Sequence, residues 1–182
     1  MGKTKAENIF TATNSLKVLS YLIKYPGKEF LCSEIQKNTS ISRAGVYVAV
    51  RELEKNGLVS KSKKGKQLLY SVIYDEPVIK QFKVLQNILA LRPQIAKLKQ
   101  LCKKVILYGS AARGENDPES DIDLFILTQD HDKVKKTISF VRSSNKIKAV
   151  IKTPVEFSEQ KESERVYYGE VDRGIVLWEE KL

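Results

Sequence analysis

The chain has 182 residues, of which 42% are hydrophobic and 30% are charged, with a formal net charge of +10. This composition is typical of globular proteins and excludes a disordered chain, and no apolar run approaches the ~20 residues of a membrane span. The charge is uneven, because residues 1–103 carry a net +12 and residues 104–182 a net −2. The basic half therefore has the electrostatics to meet a polyanion.

The first residues, MGKTKAENIF, lack the apolar core of a signal peptide. The two cysteines, Cys32 and Cys102, have neither metal-ligand nor redox spacing. We therefore expect a cytoplasmic protein with no membrane partner.

Three helices are predicted at the start of the basic half. Apolar residues recur at helical spacing over residues 14–25, and Pro26-Gly27 ends that helix. Ser33 is the expected N-cap of a short second helix, SEIQKNT. Ser42 caps a longer third helix that ends at Gly57, where a C-cap glycine belongs. The third helix is expected to bury Val46, Ala49 (or Val50) and Leu53.

A basic hairpin follows the helices. Residues 58–60 and 67–72 alternate like strands, and KSKKGK joins them with Gly65 at the tip. Three helices followed by a hairpin, and the run SEIQKNTSISRAGVYVAVRELEKNGLV in particular, resemble the winged helix-turn-helix of DNA-binding regulators. The resemblance implies double-stranded DNA as a partner, with the third helix in the major groove and the wing on phosphates. The residues expected to face DNA are Ser42, Arg43, Tyr47 and Arg51 on the helix, and Lys61, Lys63, Lys64 and Lys66 on the wing. A solvated hairpin that binds nothing, or a winged helix used for protein contacts, remains the alternative.

Residues 76–103 are predicted to form connecting helices. A proline at position 77 suits a helix start, and Arg92-Pro93 is expected to break or kink the helix before a second segment, PQIAKLKQLC. This helical segment is too apolar to be a free linker. It either covers the C-terminal sheet or pairs with its copy in a homodimer, and the sequence does not choose between the two.

The most informative stretch is YGSAARGENDPESDIDLF, at residues 108–125. A buried strand at residues 105–108 is closed by Gly109-Ser110, and Asp121 and Asp123 open a second apolar strand. Because alternate strand residues share a face, the two carboxylates point the same way. Two adjacent carboxylates are costly unless a cation lies between them, and oxygen ligands of this kind suit Mg²⁺ with substrate phosphates. The glycine turn and the helix start after it suit phosphate oxygens.

Gly-Ser followed after ten residues by Asp-x-Asp, with ARG and SDIDLFI around them, resembles the signature of minimal nucleotidyltransferases of the DNA polymerase β-like superfamily. The resemblance implies transfer of a nucleoside monophosphate from a nucleoside triphosphate to an acceptor. It implies that Gly109 and Ser110 hold the triphosphate and that Asp121 and Asp123 bind Mg²⁺. Arg113 is either a phosphate-neutralising residue or an ordinary surface arginine.

The C-terminal half continues with a helix in HDKVKKTISFVRSSN, a strand in KIKAVIKT, a mostly helical segment at residues 154–173 and a strand in GIVLWE. The family's usual third carboxylate lies on the strand after Asp-x-Asp, but KIKAVIKT contains Lys146, Lys148 and Lys152 and no acid. The nearest acid is Glu156. Either Glu156 substitutes, or the domain binds nucleotide with little or no transfer.

The expected fold class is α+β, with a winged helix-turn-helix domain at residues 1–75, connecting helices at 76–103 and a mixed-sheet nucleotidyltransferase domain at 104–182. The expected function is a DNA-binding nucleotidyltransferase with an unknown acceptor. The alternative is a transcriptional regulator whose degenerate transferase domain binds nucleotide or dimerises without catalysis.

Overall fold

The computed structural model describes residues 9–10, 12–139 and 145–180. The chain forms two compact units, Met1–Lys83 and Val84–Leu182. The division falls inside the segment that the sequence predicts as connecting helices. Within the described residues, no helix has both the length and the apolar character needed to cross a bilayer.

The N-terminal unit is a helical core with a small antiparallel sheet. Its elements are α1 (Asn14–Leu22), β1 (Phe30–Leu31), α2 (Cys32–Thr39), α3 (Arg43–Lys55), β2 (Val59–Lys64) and β3 (Gln67–Val72). The three strands lie in the order β1-β3-β2. This order of helices and hairpin is that of a winged helix-turn-helix, as the sequence predicts.

Local signals explain where α2 and α3 begin and end. The Ser42 hydroxyl accepts a hydrogen bond from the Gly45 amide at 3.2 Å, which confirms Ser42 as an N-cap. Gly57 has φ 70° just past α3, the left-handed conformation that stops a helix. The prediction of Ser33 as an N-cap is wrong. The helix begins at Cys32 because the Glu34 carboxylate accepts from the Leu31 amide at 2.7 Å, so Leu31 is the N-cap.

The core of this unit is made by the buried faces of its helices and strands. The predicted inner stripe of α3 is confirmed, and both Ala49 and Val50 are fully buried. Phe30 and Tyr70 are among the largest fully buried side chains, and they pair directly across β1 and β3. The outer side of α3 is left to solvent.

The helix α4 (Pro77–Leu98) is continuous, so the prediction of a break at Arg92-Pro93 is wrong, while the alternative of a kink at this position stays a prediction. An interior proline removes one helical hydrogen bond and costs about 3 kcal/mol. Leu91, Ile95 and Leu98 flank Pro93 and are buried in the C-terminal core. Their burial offsets the cost, and this tertiary contribution is not visible in local sequence.

The C-terminal unit is a mixed four-stranded sheet with helices. Its further elements are β4 (Lys104–Tyr108), α5 (Gly109–Arg113), β5 (Ile122–Leu127), α6 (His131–Ser139), β6 (Ile147–Lys152), α7 (Pro154–Gln160), α8 (Arg165–Asp172) and β7 (Ile175–Glu179). The strand order is β6-β5-β4-β7. Strands β5 and β6 are parallel and the other pairs antiparallel. The predicted α+β class with a mixed sheet is confirmed. The end of the predicted helix HDKVKKTISFVRSSN, with Val141, lies outside the described residues.

The two faces of this sheet carry different clusters. One face buries Val105, Leu107, Leu124 and Ile126 with the end of α4. The other face, here called the α8 face, buries Ile106, Tyr108 and Phe125 against Tyr168 and Val171 of α8. The α8 face carries the candidate site at one end.

Gly174 fixes the approach of α8 and β7 to β4. A Cβ at this position would lie 2.5 Å from the Leu107 carbonyl oxygen and 2.6 Å from Ile106 Cγ2. The first neighbour is backbone and cannot move aside, so only glycine fits. The Gly174 amide also donates to the Val171 carbonyl at 2.9 Å.

We expect Gly174→Ala to destabilise the fold by about 1–3 kcal/mol, because it overpacks a rigid contact. The control is Gly169→Ala, whose Cβ would meet only Arg173 Nη2 at 3.9 Å. Since alanine favours helices over glycine by about 0.8–1 kcal/mol, that change should be neutral or stabilising. Thermal unfolding of the full chain by circular dichroism measures both. Equal melting temperatures for Gly174→Ala and wild type would contradict the steric argument.

Candidate functional site

The Gly-Ser turn brings the backbone at the end of β4 against the carboxylate of Asp123. Gly109 has φ 70°, a conformation that favours glycine. A Cβ on Gly109 would lie 2.6 Å from Asp123 Oδ2. Glycine therefore suits the turn by its φ, and a side chain at this position would displace the Asp123 carboxylate.

Asp123 is held in place by the strands on both sides. It pairs with Tyr108 of β4 and with Lys148 of β6. Ile122, between the two aspartates, is buried in the cluster on the opposite face. Alternation then places Asp121 and Asp123 on the same side, as the sequence predicts.

The surroundings of Asp123 disfavour its charged form. Burial raises the pKa of the Asp123 carboxyl, and the negative charges of Asp121 and Glu170 raise it further, while Lys148 opposes the shift. Within the described ranges, neither Asp121 nor Asp123 accepts a hydrogen bond or forms an ion pair. A partly buried carboxylate without a protein donor is a group that a cation would stabilise.

The donor set fits one divalent cation held by few protein ligands. Both side chains offer oxygen, which Mg²⁺ prefers, and Mg²⁺ commonly takes only one or two carboxylates beside substrate phosphates. Over the part of the chain that is described, no group of three or more His, Cys, Asp or Glu side chains is arranged to hold a metal. Asp121 and Asp123 could thus hold a metal together with a ligand's own oxygens.

The loop between the Gly-Ser turn and the aspartates is held by two asparagines that the sequence reasoning missed. Asn145 Nδ2 donates to three loop carbonyls, including that of Ser120 at 2.9 Å. Asn87 Nδ2 donates to the Ala111 carbonyl at 2.9 Å and to Asn116 Oδ1 at 2.8 Å. The sequence gives only a weak sign of these roles, namely that Asn87 is a polar residue in an otherwise apolar stripe of its helix.

Arg113 lies in an acidic setting. Its Nε donates to Glu115 Oε2 at 2.8 Å, and its Nη1 lies 3.3 Å from Glu170 Oε1. The guanidinium is therefore already neutralised by two carboxylates.

Glu170 on α8 is the acid that sequence reasoning missed. It borders a cavity of about 270 Å³ together with Gly109, Arg113 and Arg173. Its charge contributes to the raised pKa values of Asp123 and Tyr108. The Tyr167 hydroxyl, on the same helix, donates to the Tyr108 hydroxyl at 3.3 Å. No motif marks Glu170, because packing alone brings α8 to this end of the sheet.

Glu156 lies elsewhere. Its carboxylate accepts from the Thr153 amide at 2.7 Å, which lowers its pKa and caps α7, and it lies 3.1 Å from His131 Nε2. Lys152 of β6 lies just before α7 and is paired with Leu127 of β5. This pair is four strand positions from the Asp123–Lys148 pair, which is roughly 13 Å along the strand. The structure does not bring Glu156 together with Asp121 and Asp123.

In the N-terminal unit, the predicted helix residues share the solvent side of α3. Ser42, Arg43, Tyr47 and Arg51 are all exposed. The Arg51 guanidinium carbon lies 5.7 Å from the centre of the Tyr47 ring, a cation–π arrangement.

The predicted wing lysines are Lys61, Lys63, Lys64 and Lys66, and all are exposed. Lys61 Nζ lies 2.8 Å from Glu54 Oε1 of α3, so this lysine joins the hairpin to the helix. Lys63 and Lys64 lie nearer the tip, opposite Leu68 and Gln67.

Comparison with known proteins agrees with this geometry. Residues 88–175 match the family described as the nucleotidyltransferase domain. The chain therefore contains a nucleotidyltransferase domain. Comparison with curated proteins finds no match.

Solved structures similar to this chain include the homodimeric winged helix-turn-helix DNA-binding domain of Mb0332 from Mycobacterium bovis. It is 18% identical to this chain with a TM-score of 0.39, and the match covers 50% of this chain and 79% of that one. Reduced HlyU from Vibrio cholerae is 21% identical with TM-score 0.34, covering 44% and 87%. The archaeal chromatin protein TrmBL2 is 12% identical with TM-score 0.32, covering 85% and 70%. The winged helix-turn-helix assignment itself rests on the helices and hairpin of this chain.

Asp123→Asn should raise the melting temperature in the absence of divalent cations by about 1–3 °C, because it removes a carboxylate whose charge the fold disfavours. In the folded protein the pKa of Asp123 lies above the ordinary value of 3.8. The destabilisation by its charge is therefore fully present at pH values above that folded pKa. It disappears as pH falls below the unfolded pKa. Thermal unfolding of both proteins between pH 8 and pH 4 measures this. A gain that is absent at pH 8, or that grows towards pH 4, would contradict the assigned electrostatics.

Proposed function

We propose that this chain is a DNA-binding protein whose nucleotidyltransferase domain binds a nucleoside triphosphate with Mg²⁺ and transfers the nucleoside monophosphate to an acceptor. The acceptor oxygen forms a bond to the α-phosphorus, the bond to the bridging oxygen breaks, pyrophosphate leaves, and the acceptor proton passes to a base or to water. One observation carries the proposal, namely the contact between the Gly109 backbone and the Asp123 carboxylate inside the segment that matches the family.

Each part of the site has a role. Gly109 and Ser110 bind triphosphate oxygens through the backbone and the hydroxyl. Asp121 and Asp123 hold the cation, which when bound would screen phosphate charge and favour the leaving pyrophosphate. Tyr108 and Tyr167, joined through their hydroxyls, keep α8 close to this end of the sheet.

The third acid proposed near the site is Glu170 rather than Glu156, and it acts through its charge rather than as a metal ligand. This choice is supported by the charge interaction of Glu170 with Asp123 and by the capping contacts that hold Glu156 at Thr153. Arg113 keeps Glu170 near the site and offsets part of the negative charge there.

A second candidate function is nucleotide binding without catalysis, in a transcriptional regulator. It is favoured by Lys148 of β6, which is paired with Asp123 of β5. Lys148 lies on the strand where the family resemblance implies an acid. A lysine there would attract a triphosphate but oppose a second metal ion.

Label transfer from α-labelled ATP, CTP, GTP or UTP, with Mg²⁺ and candidate protein or RNA acceptors, separates the two functions. Transfer that is abolished in Asp121→Asn/Asp123→Asn supports the enzyme. Metal-dependent binding without transfer supports the regulator. Failure to bind any nucleoside triphosphate would contradict both.

Glu170→Gln should lower the rate of transfer, or the affinity for Mg²⁺ measured with bound nucleotide, by about 10-fold or more, which is the usual cost of removing a residue that supports metal ligands. Glu156→Gln is the matched control, since it makes the same change in an acid that caps α7, and it should leave both quantities within about 2-fold. The reverse order of effects would restore Glu156 as the third acid.

DNA binding is the proposed role of the N-terminal unit. It is supported by the net charge of +8 on residues 1–83, which hold 15 Lys/Arg and 7 Asp/Glu, by the exposed Arg43, Tyr47 and Arg51 on α3, and by the basic wing. The helix residues would contact base edges and the wing lysines would contact phosphates.

Lys63→Ala/Lys64→Ala should weaken binding to all duplexes alike and lower the salt slope by about one unit for each lysine–phosphate interaction removed. Lys61→Ala should have a smaller effect, because Lys61 is already paired with Glu54. Fluorescence anisotropy with two unrelated duplexes over a range of salt measures both variants. Wild-type protein with no duplex affinity at low salt would remove this half of the proposal.

A further inference from the structure

The cavity beside Gly109 contains a second guanidinium group that no sequence motif marks. Arg173, immediately after α8, borders the same cavity of about 270 Å³ as Gly109, Arg113 and Glu170. Gly109 is the residue that this cavity shares with the proposed triphosphate site, and Glu170 of the same cavity interacts electrostatically with Asp123.

The two arginines of the cavity differ in their partners. Arg113 is paired with Glu115 and Glu170. Arg173 donates from Nε to the Gly169 carbonyl at 2.8 Å, and its neighbour Asp172 lies 3.8 Å from Lys161. Among the residues that the structure describes, no carboxylate lies within ion-pair distance of Arg173. Its charge is therefore available to an anion, whereas that of Arg113 is already offset.

Two contacts locate Arg173. Its guanidinium lies along α8, because Nε donates to the Gly169 carbonyl and Nη2 lies 3.9 Å from where a Cβ of Gly169 would be. Gly174 packs against the Leu107 carbonyl and Ile106, which holds the backbone next to Arg173 at the end of β4. The hydrogen bond from Nε leaves the terminal nitrogens to bind a ligand.

The proposed nucleotide site has a surplus of negative charge, which a further cation such as Arg173 would offset. Four acids surround it (Asp121, Asp123, Glu115 and Glu170), and Arg113 and Lys148 offset only two of these charges. A triphosphate would add several negative charges to this surplus, and an arginine binds phosphate through paired N–H groups.

We propose that Arg173 binds the phosphate chain of the nucleotide from the cavity beside Gly109, while Arg113 serves to neutralise Glu115 and Glu170. This inference rests on the proposed nucleotide site and adds to it a phosphate-binding residue.

The test compares wild type with Arg173→Gln, Arg173→Lys and the control Arg165→Gln. Arg165 is an exposed arginine of the same helix whose Nε lies 3.8 Å from Glu162, and it does not line the cavity. Calorimetry measures affinity for inorganic tripolyphosphate, for the Mg²⁺ complexes of ATP and GTP, and for adenosine and guanosine. Circular dichroism checks that each variant melts as wild type does.

Arg173→Gln should lower affinity for tripolyphosphate and for the nucleoside triphosphate by about 10–100-fold, the range of a charged hydrogen bond. It should leave nucleoside affinity unchanged, and Arg173→Lys should fall between wild type and Arg173→Gln. Arg165→Gln should match wild type. If wild type binds triphosphate and Arg173→Gln binds it equally well, the inference is overturned and the proposed function stands. If wild type binds neither triphosphate nor tripolyphosphate, both are overturned.

Discussion

The close contact between Gly109 and the Asp123 carboxylate is the constraint on which the C-terminal site depends. An atom on Gly109 in the place of a side chain would lie 2.6 Å from Asp123 Oδ2, so the carboxylate occupies space that any other residue would fill. Pairing of β4 with β5 brings Tyr108 opposite Asp123, and the turn that follows must take a positive φ at Gly109. The strand register and the turn therefore put the backbone proposed to bind phosphate and the carboxylate proposed to bind a cation side by side.

This contact also explains why the site holds a carboxylate whose charged form is disfavoured. Asp123 is partly buried, adjacent to Asp121 and within the influence of Glu170. Proteins keep such a group where its instability is relieved by a ligand, and perturbed carboxyl groups of this kind cluster at functional sites. Lys148 and Arg113 offset part of the charge without forming ion pairs with the aspartates. The unliganded site is thus less stable than a neutral one, and binding of a cation with an anionic ligand would recover that free energy.

The parts of the site that could be predicted from the sequence are those set by local chain geometry. The Gly-Ser turn, the alternation of Asp121 and Asp123, the cap at Ser42 and the stop at Gly57 each follow from a few neighbouring residues. The helix does not break at Pro93, because burial of Leu91 and Ile95 outweighs the local preference. Glu170 and Arg173 could not be predicted because they are about 50 residues from Asp123 in sequence, and only the packing of α8 brings them to the same end of the sheet.

The roles of the charged residues depend on their partners more than on their residue types. Arg113 follows the Gly-Ser turn and resembles a phosphate ligand by its position, yet two carboxylates already bind it. Lys61 belongs to the basic wing by sequence, yet Glu54 binds it to α3. In both cases a cation that the sequence marks as a ligand-binding residue already has a carboxylate partner in the structure. Charge patterns in sequence thus locate a binding region, and the ion pairs within it decide which of its residues can bind.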